Sequence, residues 1–356
     1  MCRVRPRRPG TRGRTGGVRM VTLKMLAQAC NVSIATVSKA LNGAPDIGLE
    51  TAARIQKTAQ QMGYIPSAAA RNLKTNRSHC FGVIFDDGTE SGLAHEFFAN
   101  MLESFKHQAE LMGYDIFLIS GQSGPWGSDY VSHARYRNCD GVLIMVGDNV
   151  VSCGQELVMA GIPAVAVDYG VDNCSTIHSD NVRGMAELVR YVHSQGHRTI
   201  AAVFGEDCPV TRLRAASFYR TCAELGVEVP DEYVRTSLYH DMDSAILATR
   251  QLLALPRRPT CILYPDDYAA IGGMNEIERA GLSIPGDVSV TGFDGSLLAR
   301  YARPRMTTVQ QNTRDMGIAA ARELVRAVEE GRGFLPRDIT IPCTLLPGET
   351  VRKLEL

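Results

Sequence analysis

Four aspartates stand near the ends of apolar runs: Asp86, Asp148, Asp266 and Asp294. Gln311 adds an amide. Arg214, soon after Phe204-Gly205, adds the one cation placed among these acids. Such a group could serve acid–base or metal chemistry. It also suits a neutral, hydroxyl-rich ligand, with carboxylates accepting from adjacent hydroxyls and an Arg fork holding two oxygens. A phosphorylated ligand would want more cations. The chain has no phosphate-binding loop, no G-x-S-x-G nucleophile elbow and no zinc-ligand spacing. Each aspartate alone has a simpler reading too, because strand-end Asp residues often cap the next helix. Trp126, the only Trp, follows Gly124-Pro125, where ordinary packing competes with stacking on a sugar ring.

A second set of chemistry-bearing residues lies near the N-terminus. Thr22, Ser33, Thr36 and Ser38 carry hydroxyls suited to phosphate oxygens, and Lys39 adds a cation. The elements that position them are legible. Thr22 is an N-cap candidate, and Leu23, Leu26, Ala27 and Cys30 share one helical face. Asn31 suits a left-handed helix end. Ser33 can cap a second helix that buries Val37, Ala40 and Leu41 and turns Ile34, Ala35, Ser38 and Lys39 outward. Asn42-Gly43 stops it. A third helix over about Gly48–Met62 has Ala52, Ile55, Ala59 and Met62 as its core face. Two short helices joined by a tight turn make a helix-turn-helix, whose second helix fits the major groove of DNA.

Charge agrees with this placement. The chain is neutral overall, 38 cations against 38 acids in 356 residues. Residues 1–19 hold seven Arg and no acid, and residues 20–79 hold seven cations against Asp46 and Glu50. The head is therefore at +12 and the rest at −12, the footprint of a polyanion binder joined to a separate regulatory or catalytic domain.

Beyond Ser78 the pattern alternates. Strands are expected at Cys80–Phe85, Asp115–Ser120, Gly141–Val146 and Ala164–Tyr169, with helices between. The alternation restarts after Ser179 and ends with helix Thr313–Glu330 and strand Ile339–Leu346. Such β-α-β order means parallel sheets covered on both faces, in two lobes flanking a cleft. Ligands of these sheets bind beyond the carboxyl ends of the strands.

The run from Val21 to Leu73 resembles the head and hinge of the lactose-repressor/galactose-repressor family of bacterial transcription regulators. The matching residues are Val21-Thr22-Leu23-Lys24, Ala27, Val32-Ser33, Ala35-Thr36-Val37-Ser38, Leu41-Asn42-Gly43, Gly63-Tyr64, Pro66, Ala69-Ala70-Arg71 and Leu73. The likeness continues, more thinly, through Gly161-Ile162-Pro163, Asp180-Asn181, Gly196-His197-Arg198, Gly292-Phe293-Asp294 and Thr307-Thr308-Val309. Asn31 and Gly48 depart from the usual turn and cap residues. Asp266 stands where the family more often has Asn, and Gly295 where a second acid is common.

The resemblance implies a fold and a function. The fold is α/β: a three-helix helix-turn-helix head with a hinge helix, then a two-lobed domain similar to periplasmic sugar-binding proteins. The function is a repressor whose operator affinity is controlled by a small effector, expected to be a sugar. It implies DNA contacts at Thr22, Leu23, Ser33, Ile34, Ala35, Thr36, Ser38, Lys39, Asn42, Ala70 and Leu73. Ile34 and Ala35 would meet apolar groups such as the thymine methyl, and Leu73 would wedge into the minor groove. Effector contacts are implied at Asp86, Phe98, Asp148, Arg214, Asp266, Asp294 and Gln311. A homodimer on a near-palindromic double-stranded operator follows. An enzyme and a free-standing sugar-binding protein are the competing classes.

The expected boundaries are a disordered basic extension over 1–19, with Met20 an alternative translation start, a DNA-binding domain over 20–65 and a hinge over 66–78. The effector and dimerisation domain spans 79–356. Its first lobe takes about 79–178 and 311–335, its second about 179–310 and 336–356. No apolar run reaches the ~18 residues of a membrane span. Nothing reads as a secretory signal, and ten scattered Cys without C-x-x-C suit reduced thiols, so a cytoplasmic chain with no cofactor or metal is expected.

Overall fold

The computed structural model describes residues 21–65, 77–86, 95–119, 129–146 and 151–355. The chain divides into two compact units, Met1–Asn76 and Arg77–Leu356.

In the first unit three helices, Leu23–Cys30, Ile34–Leu41 and Leu49–Met62, form a small core around Leu26, Val37 and Ile55. Short helices like these are marginal alone and depend on this shared apolar face. Their ends follow the sequence. The Thr22 and Ser33 hydroxyls accept from Met25 and Thr36 N–H. Asn31 is left-handed at φ 50°, and Gly48 supplies no side-chain cap.

The second unit has two lobes. In the first, β1 (Cys80–Asp86), β2 (Asp115–Leu118), β3 (Gly141–Val146), β4 (Ala164–Val167), β5 (Ser175–Ser179) and β11 (Asp338–Ile341) form one parallel sheet in the order β11-β5-β4-β3-β1-β2. Helices Glu96–Leu111 and Thr313–Glu330 pack side by side on one of its faces. They touch backbone to backbone at Gly317, where a Cβ would fall 2.4 Å from Met101 O. In the second lobe, β6 (Ile200–Phe204), β7 (Val234–Thr236), β8 (Cys261–Leu263) and β9 (Ser289–Thr291) pair in parallel as β7-β6-β8-β9. β10 (Thr308–Gln310) and β12 (Thr344–Leu346) form a separate antiparallel pair.

The structure corrects four expectations. The strand expected over Ile339–Leu346 is two, β11 and β12, in different sheets. Pro342 cannot donate to a ladder, and the chain changes lobe there. Residues 338–341 therefore belong to the first lobe, not the second. β4 stops at Val167, because Asp168 turns out of the strand at φ 61°. Finally, β5, β7 and β10 were not anticipated. β7 and β10 are three residues each, too short for a period to register, and β5 reads STIHS, with one apolar residue.

The lobes are joined by three crossings. β5 runs through Asp180 into helix Asn181–Ser194, β10 through Gln311 into helix Thr313–Glu330, and β11 into β12. Two are bonded together, Asp180 N–H donating to Ile341 O at 2.8 Å. No helix among the described residues is long and apolar enough to cross a membrane.

Candidate functional site

Ile34 is 48 % exposed, and Ser33, Ala35 and Lys39 are also exposed. An isoleucine so open on the first turn of a helix has no packing role in its own unit. Several expected contacts are already engaged. The Ser33 and Thr36 hydroxyls bond each other at 2.8 Å. Asn42 Nδ2 donates to Ser38 O at 2.6 Å. Lys39 is paired with Asp46. Leu23 is half-buried and packs against the head's core. Ala70 and Leu73 lie outside the described residues.

Within the second unit a cavity of about 180 Å³ lies between the lobes, lined in part by Glu96, His240, Tyr268, Asp294, Arg300 and Gln311. Glu96 comes from the first lobe, where the helix Glu96–Leu111 begins. Its Oε1 accepts from Leu297 N–H of the second lobe at 3.0 Å. Beside it the His95 ring lies 3.7 Å from the His240 ring of the second lobe. Phe98 is half-buried, 4.6 Å from His95 and 5.3 Å from Phe85. Asp86 closes β1, and its side chain, like all of Asp148, lies outside the described residues.

Arg214 is 4 % exposed. Its Nε donates to Asn181 Oδ1 and its Nη1 to Pro265 O, both at 2.8 Å. The guanidinium carbon sits 3.6 Å from the Phe293 ring centroid and 5.9 Å from that of Tyr239. Asp294 is held at φ 112° and accepts from Gln311 Nε2 at 2.6 Å. The Gln311 side chain thus belongs to the crossing and to the cleft at once.

Burial pushes Asp294 well above the usual carboxylate range, against the pull of Arg214. Asp267 is raised by burial and by Asp294, although Thr308 Oγ1 and Ser296 N–H donate to its two oxygens. Burial also lowers His95 to about 3, with His240 acting in the same direction.

Asp266 does what the simpler reading foresaw. It caps helix Asp267–Arg279 through Ala269 N–H at 2.8 Å, and its other oxygen accepts from His240 N–H at 2.9 Å. Both oxygens hold backbone, so Asp266 shapes the wall of the cleft.

Sequence reasoning missed Asp168. It stands past β4 in the first lobe, and its Oδ1 is buried with no hydrogen-bond partner among the described residues. Burial lifts it to about 6, while Arg214 and then His178 pull it down. Two non-glycine residues at positive φ, Asp168 and Asp294, thus stand on opposite lobes, both within electrostatic reach of Arg214. Backbone strain of this kind gathers at ligand sites. The signal was present, an Asp after the apolar run Ala164–Val167, but the strand was read two residues too long.

Residues 22–67 match the bacterial regulatory proteins of the lacI family, and residues 189–351 match the periplasmic binding protein-like domain. Over 315 residues the chain is 32 % identical to a probable HTH-type transcriptional repressor, ExuR, of Bacillus subtilis (strain 168), covering 87 % of this chain and 92 % of that one. The chain belongs to the lacI family of bacterial regulatory proteins. Membership makes it a DNA-binding transcriptional repressor and not an enzyme. Another lacI-family relative is the PurR repressor of Vibrio campbellii (strain ATCC BAA-1116), 28 % identical over 87 % of this chain and 93 % of its own. Among solved structures, a CelR–cellobiose complex superposes with TM-score 0.67 at 25 % identity, over 93 % of this chain and 99 % of that one. A lac repressor dimer bound to operator and anti-inducer superposes with TM-score 0.79 at 23 % identity, over 94 % and 100 %, a likeness of fold.

Proposed function

We propose that the effector is a neutral, hydroxyl-rich small molecule of the sugar class, bound between the lobes, and that it sets operator affinity. The observation that carries this reading is the arrangement around Arg214. Two of its five N–H groups are taken by Asn181 and Pro265. Asp168 Oδ1 is an acceptor without a donor. A hydroxyl can accept from the guanidinium and donate to a carboxylate, which an apolar group cannot do. Phe98, Asp294 and Gln311 complete the proposed contacts, and Asp266 acts through His240.

On the DNA side the proposed reading face is Ser33, Ile34, Ala35, Thr36, Ser38 and Lys39, with Thr22 and Asn42 at its margins. Ala70 and Leu73 are assigned to the hinge by family likeness. The unit of action is a homodimer on a near-palindromic site, since one short helix reads too few bases, and the chain works in the cytoplasm. A thermal-shift panel of neutral sugars, sugar acids and nucleobases tests the effector class. A hit at 100 Kd raises stability by about 2.7 kcal/mol, and hits confined to acids or nucleobases would reject the sugar reading.

A further inference from the structure

Asp140 lies away from the cleft residues, at the entry to β3. Its Oδ1 accepts from the Ser78 backbone N–H at 2.7 Å and from the Ser78 hydroxyl at 3.0 Å. Its Oδ2 accepts from the His79 N–H at 2.9 Å. Ser78 Oγ in turn accepts from Cys80 N–H at 3.1 Å, and Asp140 N–H donates to Cys80 O at 3.0 Å. One residue earlier, Arg77 Nη2 donates to Val328 O at 3.2 Å.

These bonds hold the segment just before the sheet begins. The β1 ladder starts at Cys80, so it cannot satisfy the N–H groups of Ser78 and His79. In an unconstrained linker, water would satisfy them. Here one carboxylate from a distant segment takes both. His79 is left-handed at φ 55°, a conformation that persists in a non-glycine residue where surrounding contacts over-determine it. The chain therefore enters the second unit at a fixed point and in a fixed direction.

A repressor of this family reads its site through a head that precedes this point. Sequence-specific binding needs each head set at its half-site, whereas sequence-independent attraction to phosphates needs only the head's charge. We propose that Asp140 is a positioning residue for operator recognition: by fixing the backbone of Ser78 and His79 it sets where the linker to the head begins. The cation of that segment, Arg77, is tied to the helix Thr313–Glu330, whose first residue lines the cleft. That tie places the same anchor at the far end of a cleft element.

The test uses the full chain and a duplex selected from a random library by the wild-type protein, with a scrambled duplex as control. Asp140→Ala is expected to weaken binding to the selected duplex by about tenfold or more, while the scrambled duplex changes by less than about twofold. Hydrogen exchange over residues 77–80 is expected to quicken, with the melting temperature of the second unit lowered but the unit still folded. Unchanged selectivity alongside faster exchange overturns the proposal, because the anchor would then be lost without consequence. Equal weakening on both duplexes also overturns it, since that is a general folding defect. If Asp140→Ala does not fold, Asp140→Asn, which keeps the shape and one acceptor oxygen, carries the same two outcomes.

Discussion

Arg214 sits over Phe293, its guanidinium carbon 3.6 Å from the ring centroid, with Nε and Nη1 both committed to neutral oxygens of its own lobe. The side chain is thus fixed before any ligand arrives. Preorganisation of this kind is what makes an arginine fork selective. It also means that the residue stabilises the fold. Hydrogen bonds from a charged donor contribute about 1.5–3 kcal/mol each. Arg214→Lys, which keeps the charge and loses the fork, is expected to lower stability by about 2 kcal/mol and to abolish the effector response. Melting curves with and without a sugar found by the panel check both parts, and a wild-type ligand shift in the variant would remove Arg214 from the site.

Asp266 gives a sharper contrast with its neighbours. Because its oxygens hold Ala269 and His240 N–H, Asp266→Ala is expected to cost about 1–2 kcal/mol as a lost cap. Any loss of effector affinity should run through displacement of His240. A His240→Ala variant should therefore reproduce the affinity loss without the full loss of stability. If Asp266→Ala melts like wild type, the cap is not what this carboxylate contributes.

The head was almost fully legible, because each of its signals is local. Thr22, Asn31 and Ser33 mark helix ends through their own backbone chemistry, and the core face repeats at helical spacing. The cleft was legible only where a residue stood at a strand end. Gln311 is hydrogen-bonded to Asp294, and Arg214, from within a helix, acts on Asp294 electrostatically. Asp168 was hidden by a misjudged strand end. His95 and His240 were hidden because their meeting depends on two lobes closing over about 145 residues of intervening chain. No period or spacing reports a contact between lobes. The splitting of β11 from β12 was signalled by Pro342 and missed, since apolar residues continue on both sides.

The interlobe histidines predict a pH dependence. His95 is lowered to about 3 in the fold, against ~6.5 in an unfolded chain. The unfolded state then binds more protons between these values, so the contribution of neutral His95 is complete above about pH 6.5 and is lost as pH falls toward 3. The raised carboxyls of Asp267 and Asp294 act in the opposite sense, losing stability as pH rises out of the carboxylate range. Comparing His95→Phe with wild type at each pH isolates the histidine. The wild type is expected to lose about 1 kcal/mol per pH unit more than the variant between pH 6.5 and 4.5. Parallel curves would show that His95 titrates normally.

The last prediction concerns the reading helix. Lys39 and Asp46 are paired on the surface, each side chain about half exposed, at 52 % and 53 %. Exposed pairs of this kind contribute little to stability, about 0–1 kcal/mol, so neither partner is needed to hold the head together. Their effect on DNA binding differs in sign. Asp46 places a negative charge beside the cation that would approach phosphate or a guanine edge, and Lys39 must leave it to reach either. Asp46→Asn is expected to strengthen binding to any duplex, and Lys39→Ala to weaken it, with little change in the melting temperature of either variant. The salt dependence separates the two roles open to Lys39. A phosphate contact lowers the slope of log K against log salt by about one and weakens all sequences alike. A guanine contact instead relaxes one base position by ~1–3 kcal/mol. Binding isotherms at four salt concentrations, on a selected duplex and its single-base variants, make the choice. If Asp46→Asn and Lys39→Ala both bind as wild type at every salt, this end of the helix lies outside the DNA contact.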